Sequence, residues 1–281
     1  MREIASNVYI EENSLGLVAG LIKNESGRIL IDSPLRKVSG GAWKDSLASS
    51  ESESGCYLIV LDSNYDRILS VKGSNCVLVA HSEAIPPLRS RVAPPKTSEE
   101  TALLSEPQET MAGLSRMFPP DLNFDTQLSL HLHNLHISLE HHPGSNNAGV
   151  WVEVPERKVI FVGDTIVVDQ PPFLAYANLP RWEEDLALLG SKRFSNYQVV
   201  SARSGVVDRE QVKQMGKHIT YIRKKFDALK EETAPIEEWY NQIPSISSRI
   251  GQLDLFNQEL FYNRLHWGIT TYYELNRREK G

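Results

Sequence analysis

The sequence predicts an α/β layer structure that ends in helices, and three observations carry that prediction. Apolar strand-like runs, several of them continuous, recur through the first 205 residues. Turn signals separate them at short intervals. From residue 206 onward the apolar period changes from that of a strand to that of a helix. The elements follow in order. "NVYIEEN" alternates as a half-buried strand does, "LGLVAGLIKN" is mostly apolar, and "GRILIDSPL" follows a turn signal at Glu25-Ser26-Gly27. "AWKDSLASS" reads as a short helix after Ser39-Gly40-Gly41. "CYLIVLD" and "CVLVAHSEA" are continuous apolar runs separated by "RILSVKGS", the pattern of parallel strands buried on both faces. Residues 84–127 are rich in Pro, Ser and Glu and read as a long surface excursion with one or two short helices. "QLSLHLHNLHISLEHH" reads as one strand, with His131 and His133 on one face and His136 on the other. "GVWVEVP" and "KVIFVGDTIV" follow as a hairpin across "PERK", then a helix at "PRWEEDLALLGS" and a strand at "NYQVVSARSG".

In the helical part, Val212, Met215, Ile219, Ile222, Phe226 and Leu229 fall on one face of a helix. That stripe predicts packing on the sheet; a heptad seam between two copies is the sharper alternative. "IEEWYNQI" and "LDLFNQELFYNRLHWGITTYYEL" add two helical segments, the second rich in aromatic residues that suit core, a pocket wall or a homodimer contact. The expected division is residues 1–205 as the α/β domain and 206–281 as a helical extension packed on it or completing it.

Composition narrows the function classes. The chain has 281 residues and a formal net charge of −6, without a long basic run, so nucleic acid is not expected as a partner. No apolar run approaches the roughly 20 residues needed to span a bilayer. The start "MREIASNVYI" lacks the apolar core of a secretory signal. Cys56 and Cys76, the two cysteines, sit in apolar strand-like settings and read as reduced core thiols. A cytoplasmic protein is the resulting expectation.

The chemistry gathers where strands end. "LIVLDSNYDRILSV" runs from apolar residues straight into Asp62, Asn64, Asp66 and Arg67. His141-His142-Pro143-Gly144, Gly163-Asp164 and Ala202-Arg203-Ser204-Gly205 occupy similar places. Ligands of open α/β sheets bind at strand ends. A carboxylate there is costly unless it binds a metal or pairs with a cation.

In this order the segments resemble the metallo-β-lactamase superfamily over roughly residues 5–225. "GLVAGLIKNESGRILIDSPL" is similar to the opening sheet of that family. "LDSNYDRI" stands at its H-x-H-x-D-H motif, "EHHPGS" at its GHTPGS loop, "VIFVGDTI" at its strand ending in Gly-Asp, and "VVSARSG" at its PGHG turn. The resemblance implies a four-layer αββα sandwich with additional C-terminal helices. It also implies a place for two metal ions. Carried over position by position, Asp62 and Asn64 stand where the first two histidines would be. Asp66 keeps the aspartate and Arg67 replaces the next histidine. His141 keeps the third, Asp164 keeps the bridging aspartate, and Arg203 replaces the last histidine.

Arginine offers no lone pair to a metal. At about 4 Å and an effective dielectric of about 20, each unit-charge pair is worth on the order of 4 kcal/mol, so two guanidinium groups oppose a second divalent ion strongly. What remains for one metal is Asp62, His141 and Asp164, with Asn64 as a weak oxygen ligand, a set suited to zinc, manganese or magnesium. Two functions follow. One is a non-catalytic binding or structural module, metal-free, whose carboxylates are closed by Asp–Arg pairs. The other is a mononuclear hydrolase of esters, lactones or thioesters. In that enzyme Asp66 would orient or deprotonate the metal-bound water, and Arg67 or Arg203 would stabilise the developing oxyanion. A small-molecule ligand or substrate suits the enzyme and the binding module. His266, on the aromatic helix, is a further candidate ligand.

Overall fold

In the computed structural model of the chain, residues 1–12, 17–25, 27–32, 55–64, 76–84, 120–250 and 255–278 are described. Two mixed sheets face each other. The first is built in chain order from β1 (Arg2–Ala5), β2 (Val8–Glu12), β3 (Val18–Asn24), β4 (Gly27–Ile31), β5 (Gly55–Ile59), β6 (Val77–His81) and β7 (Leu122–Phe124). β1 to β4 form an antiparallel meander, and β4 to β7 run parallel. The expected excursion at 84–127 therefore contains an edge strand, β7, which pairs with β6. Its three residues are too few to give a periodic signal. The helix expected at "AWKDSLASS" and the segment "RILSVKGS" lie outside the described residues.

The second sheet is ordered β13-β12-β11-β10-β9-β8, from β8 (Gln127–Leu132), β9 (Leu135–His141), β10 (Val150–Val154), β11 (Val159–Phe161), β12 (Gln198–Ser201) and β13 (Gly205–Val207). β8 and β9 correct the single strand expected around "HLHNLH". The chain reverses at His133, whose φ of 55° is the left-handed conformation of a tight turn. His131 then faces His136 across the hairpin with their rings stacked at 5.2 Å. The hairpin across "PERK" forms as expected, through a 3-10 turn at Pro155–Arg157.

Apolar faces of the two sheets meet in one core. Ile10, Ile22, Ile29, Ile31, Ile59 and Val79 of the first pack against Ile137, Leu139, Val152, Val159, Phe161 and Val200 of the second. The sheets approach so closely at Gly20 that a Cβ there would overlap the Phe161 ring. The outer face of the second sheet is covered by α1 (Leu179–Leu189), α2 (Arg209–Glu231), α3 (Ile236–Tyr240), α4 (Ile243–Ser247) and α5 (Leu255–Arg278). Asp208 caps α2 in a capping box with Gln211. All six residues of the apolar stripe on α2 are buried in this same cluster, so the stripe packs within the chain.

The cysteine expectation is overturned. Cys56 and Cys76 form a disulfide. Parallel pairing sets Tyr57 beside Val77, which makes the residues just before them cross-strand neighbours, with Cα atoms 4.5 Å apart. Nothing local in the sequence encodes that pairing. The cytoplasmic expectation loses the support it drew from free thiols, since disulfides persist mainly in oxidising surroundings. Among the described residues no helix is long and apolar enough to cross a membrane.

Candidate functional site

Strand register brings the polar strand ends together. β11 and β12 are parallel neighbours, with Phe161 beside Val200. Three residues further along each chain, Asp164 and Arg203 therefore meet. Gly163 takes a positive φ of 60°, which turns the chain out of β11 and delivers the Asp164 carboxylate. Opposite, the buried Ser201 hydroxyl donates to the Ile166 carbonyl at 2.6 Å. The same oxygen accepts the backbone N–H groups of Arg203 and Ser204, both at 3.1 Å. One hydroxyl thus organises the "SARSG" turn.

Asp62 and Asn64 enter from the first sheet. The Leu61 N–H donates to the carboxylate of Asp32 at 2.9 Å, and the Leu61 carbonyl accepts from the N–H of Val150 at 2.8 Å. The second bond ties the end of β5 to the start of β10 and sets Asp62 between the sheets. Asp62 Oδ1 accepts the backbone N–H of Asn64 at 2.8 Å, a local turn that carries the Asn64 side chain inward.

Four of the expected site residues converge. The Asn64 Nδ2 group donates to Asp62 Oδ2 at 3.2 Å and to Asp164 Oδ2 at 2.9 Å. Arg203 Nε lies 3.1 Å from both oxygens of Asp164. The pair is deeply buried: the Arg203 side chain is 8% exposed and that of Asp164 1%. The Arg203 guanidinium also lies over the Phe173 ring, 4.3 Å from its centroid. Asn64 thus meets two carboxylates with its amide N–H groups.

His141 is placed differently. Its Nε2 donates to the Asn147 carbonyl at 2.8 Å, and its ring stacks on His81 at 3.6 Å. His81 is held in turn by the Asp125 carbonyl at 2.7 Å and the Glu83 N–H at 3.1 Å. Burial pushes the His141 pKa down, with His81 and His142 acting in the same direction and the Asn147 carbonyl and Glu83 against it. The imidazole is therefore neutral near pH 7. His142, its neighbour, lies on the other side of the sheet, stacked on Trp151 at 3.6 Å with Nδ1 2.7 Å from Asp185. His266 stacks on Tyr240 at 4.1 Å, in the helical layer. Asp66 and Arg67 lie outside the described residues. Among those described, no three His, Cys, Asp or Glu side chains form a group that could hold a metal.

Three contacts were not legible from the sequence. Phe173 sits in the connection after Asp164, and Arg264 of α5 reaches the same ring. Asn146 accepts from the Ser63 hydroxyl at 3.0 Å and links the "HHPGS" loop to the "LDSN" turn. The aromatic character of the last helix was the one available signal.

Solved structures give the fold a family. A metallo-β-lactamase family protein from Thermus thermophilus superposes with a TM-score of 0.64 and 16% identity, over 99% of this chain and 95% of that one. The fold is that of the metallo-β-lactamases. A metallo-β-lactamase from Pontibacter korlensis matches 78% of this chain and 97% of its own, with a TM-score of 0.54 and 15% identity. The stereoselective inverting sec-alkylsulfatase of Pseudomonas sp. matches 97% of this chain but 49% of its own, at 0.62 and 9%. No family model matches the sequence, and neither does any curated protein. The similarity thus concerns architecture.

Two features of the described residues bear on the metal pair that the resemblance implies. Arg203 holds a permanent cation 3.1 Å from both oxygens of Asp164. Asn64 turns the Nδ2 donors of its amide to both carboxylates. Asn64 Nδ2 and Arg203 Nε thus both donate to the Asp164 carboxylate.

Proposed function

We propose that this chain is a metallo-β-lactamase-fold protein in which arginine has taken over the electrostatic role of the second metal. In this reading it serves as a small-molecule-binding module and not as a dinuclear metallohydrolase. One observation carries the reading: the Arg203 Nε–H shared by both oxygens of Asp164, with both side chains buried. A fixed guanidinium neutralises the carboxylate in place and leaves it no need of a second ion. Asn64 supports the same reading, since its amide donates to both Asp62 and Asp164.

The test is elemental analysis of protein purified without chelator, together with assays on ester, lactone, thioester and sulfate-ester substrates. Well under one equivalent of tightly bound zinc, manganese or iron, and no turnover that added metal enhances, is the expected result. Two tightly bound equivalents with metal-dependent hydrolysis would overturn the reading. One equivalent with metal-dependent hydrolysis would establish the mononuclear enzyme instead.

A further inference from the structure

The buried Asp164–Arg203 pair continues outward through an aromatic ring to the C-terminal helix. Phe173 lies in the connection between Asp164 and α1. Its ring centroid is 4.3 Å from the Arg203 guanidinium carbon and 4.2 Å from that of Arg264. Guanidinium groups are drawn to aromatic faces, so the ring holds both side chains. Arg264 is itself anchored, buried on α5, donating to Gln170 Oε1 at 2.8 Å and lying 5.3 Å from the Phe261 ring.

The connection that carries Phe173 is gripped along its length. At its start, Trp151 and Trp182 donate to the hydroxyl and carbonyl of Thr165, and Ser204 Oγ accepts the Val168 N–H. In its second half, Gly268 of α5 packs against Leu174 so closely that a Cβ there would lie 3.3 Å from the Leu174 side chain. Trp267 meets Tyr176 edge-on at 6.2 Å. The position of Phe173 is therefore set from both sides, by the sheet that carries Asp164 and by α5.

We propose that Phe173 and Arg264 are positioning residues that hold Arg203 against Asp164. The C-terminal helix, through that ring, then determines whether Asp164 is closed by arginine or open to a cation. This rests on the reading above, that Arg203 stands in for a metal.

The test is zinc binding by isothermal titration on the full chain and on four variants, each checked for folding by circular dichroism. Wild type is expected to bind zinc weakly. Arg203→Ala should bind at least about tenfold more tightly, because the Arg203 guanidinium no longer competes with zinc for the Asp164 carboxylate. Phe173→Leu keeps apolar bulk but has no π face, and should gain about threefold to tenfold. Phe173→Trp restores an aromatic face and should return to wild-type affinity. The double variant Arg203→Ala/Phe173→Leu should bind like Arg203→Ala alone, since the ring acts only through the arginine. Where Phe173→Leu does not fold, Arg264→Lys, which keeps the charge but loses the planar stack, gives the same reading. If Phe173→Leu and Arg264→Lys leave zinc affinity unchanged while Arg203→Ala raises it, the positioning role is wrong and the proposed function stands. If Arg203→Ala itself changes nothing, the proposed function falls, and the positioning role with it.

Discussion

Two arginine–carboxylate pairs in this molecule look alike on paper and differ in surroundings. Arg203 meets Asp164 at 3.1 Å with side-chain exposures of 8% and 1%. Arg193 meets Glu153 at 2.8 Å, but its side chain is 48% exposed and that of Glu153 10%. The shorter contact is on the outer face of the second sheet, where Glu153 also accepts the Tyr197 hydroxyl at 2.6 Å. There water solvates Arg193 whether or not it pairs. Inside, bulk water does not reach Asp164 to take the place of the guanidinium. Distance alone therefore ranks the pairs in the wrong order; burial decides what is lost when one partner goes.

The largest effect that can break this comparison is on the inner pair. Arg203→Ala, measured in the presence of chelator, should lower stability by roughly 3–5 kcal/mol, the cost of removing one partner of a buried ion pair. Adding Asp164→Ala should recover part of that loss. Additive single-mutant losses in a denaturation cycle would mean that the two side chains are not coupled.

A middle-sized effect belongs to Tyr197. Its hydroxyl donates to the buried carboxylate of Glu153, and removing it by Tyr197→Phe should cost about 1.5–3 kcal/mol. Burial, then the Glu153 hydrogen bond and charge, push the Tyr197 pKa up to about 12. The folded chain keeps this proton where the unfolded chain releases it. The stability it contributes is full below about pH 10, the ordinary tyrosine value, and lost as pH rises towards 12. Tyr197→Phe should accordingly flatten the alkaline limb of the melting curve against pH. A limb of unchanged slope would assign the alkaline loss to other groups.

The smallest effect sharpens the comparison. Arg193→Ala should cost less than about 1 kcal/mol, and the cost should shrink further in high salt. A loss as large as that of Arg203→Ala would show that exposure is not what separates the two pairs.

Much of this molecule is legible in its residues taken in order. The alternation in Val8–Glu12, the continuous run through Leu58 and Leu61, and the six-residue stripe of α2 are short-range patterns, and they predicted strands and a helix face that the structure contains. The single strand expected around "HLHNLH" failed because His133 carries a left-handed turn usually marked by Gly or Asn. Candidate site residues were legible as chemistry, since carboxylates at strand ends demand compensation. Their partners were not all legible: nothing in the order of residues shows that the Asn64 amide meets both Asp62 and Asp164.

The sequence by itself determined the alternation of apolar runs and turns, the fold class, and the absence of histidine at positions 62, 64, 67 and 203. These are properties of residue type and local period, and need no knowledge of what lies across space. Tertiary structure decided which distant residues meet. The parallel register of β11 and β12 sets Arg203 against Asp164, and that of β5 and β6 sets Cys56 against Cys76. The packing of α5 puts Arg264 on the Phe173 ring. The physical reason is common to all three. A strand or helix forms from contacts a few residues apart, but its register against another element is chosen by the burial of whole faces at once, and shifting a strand by one residue would turn every side chain to the opposite face.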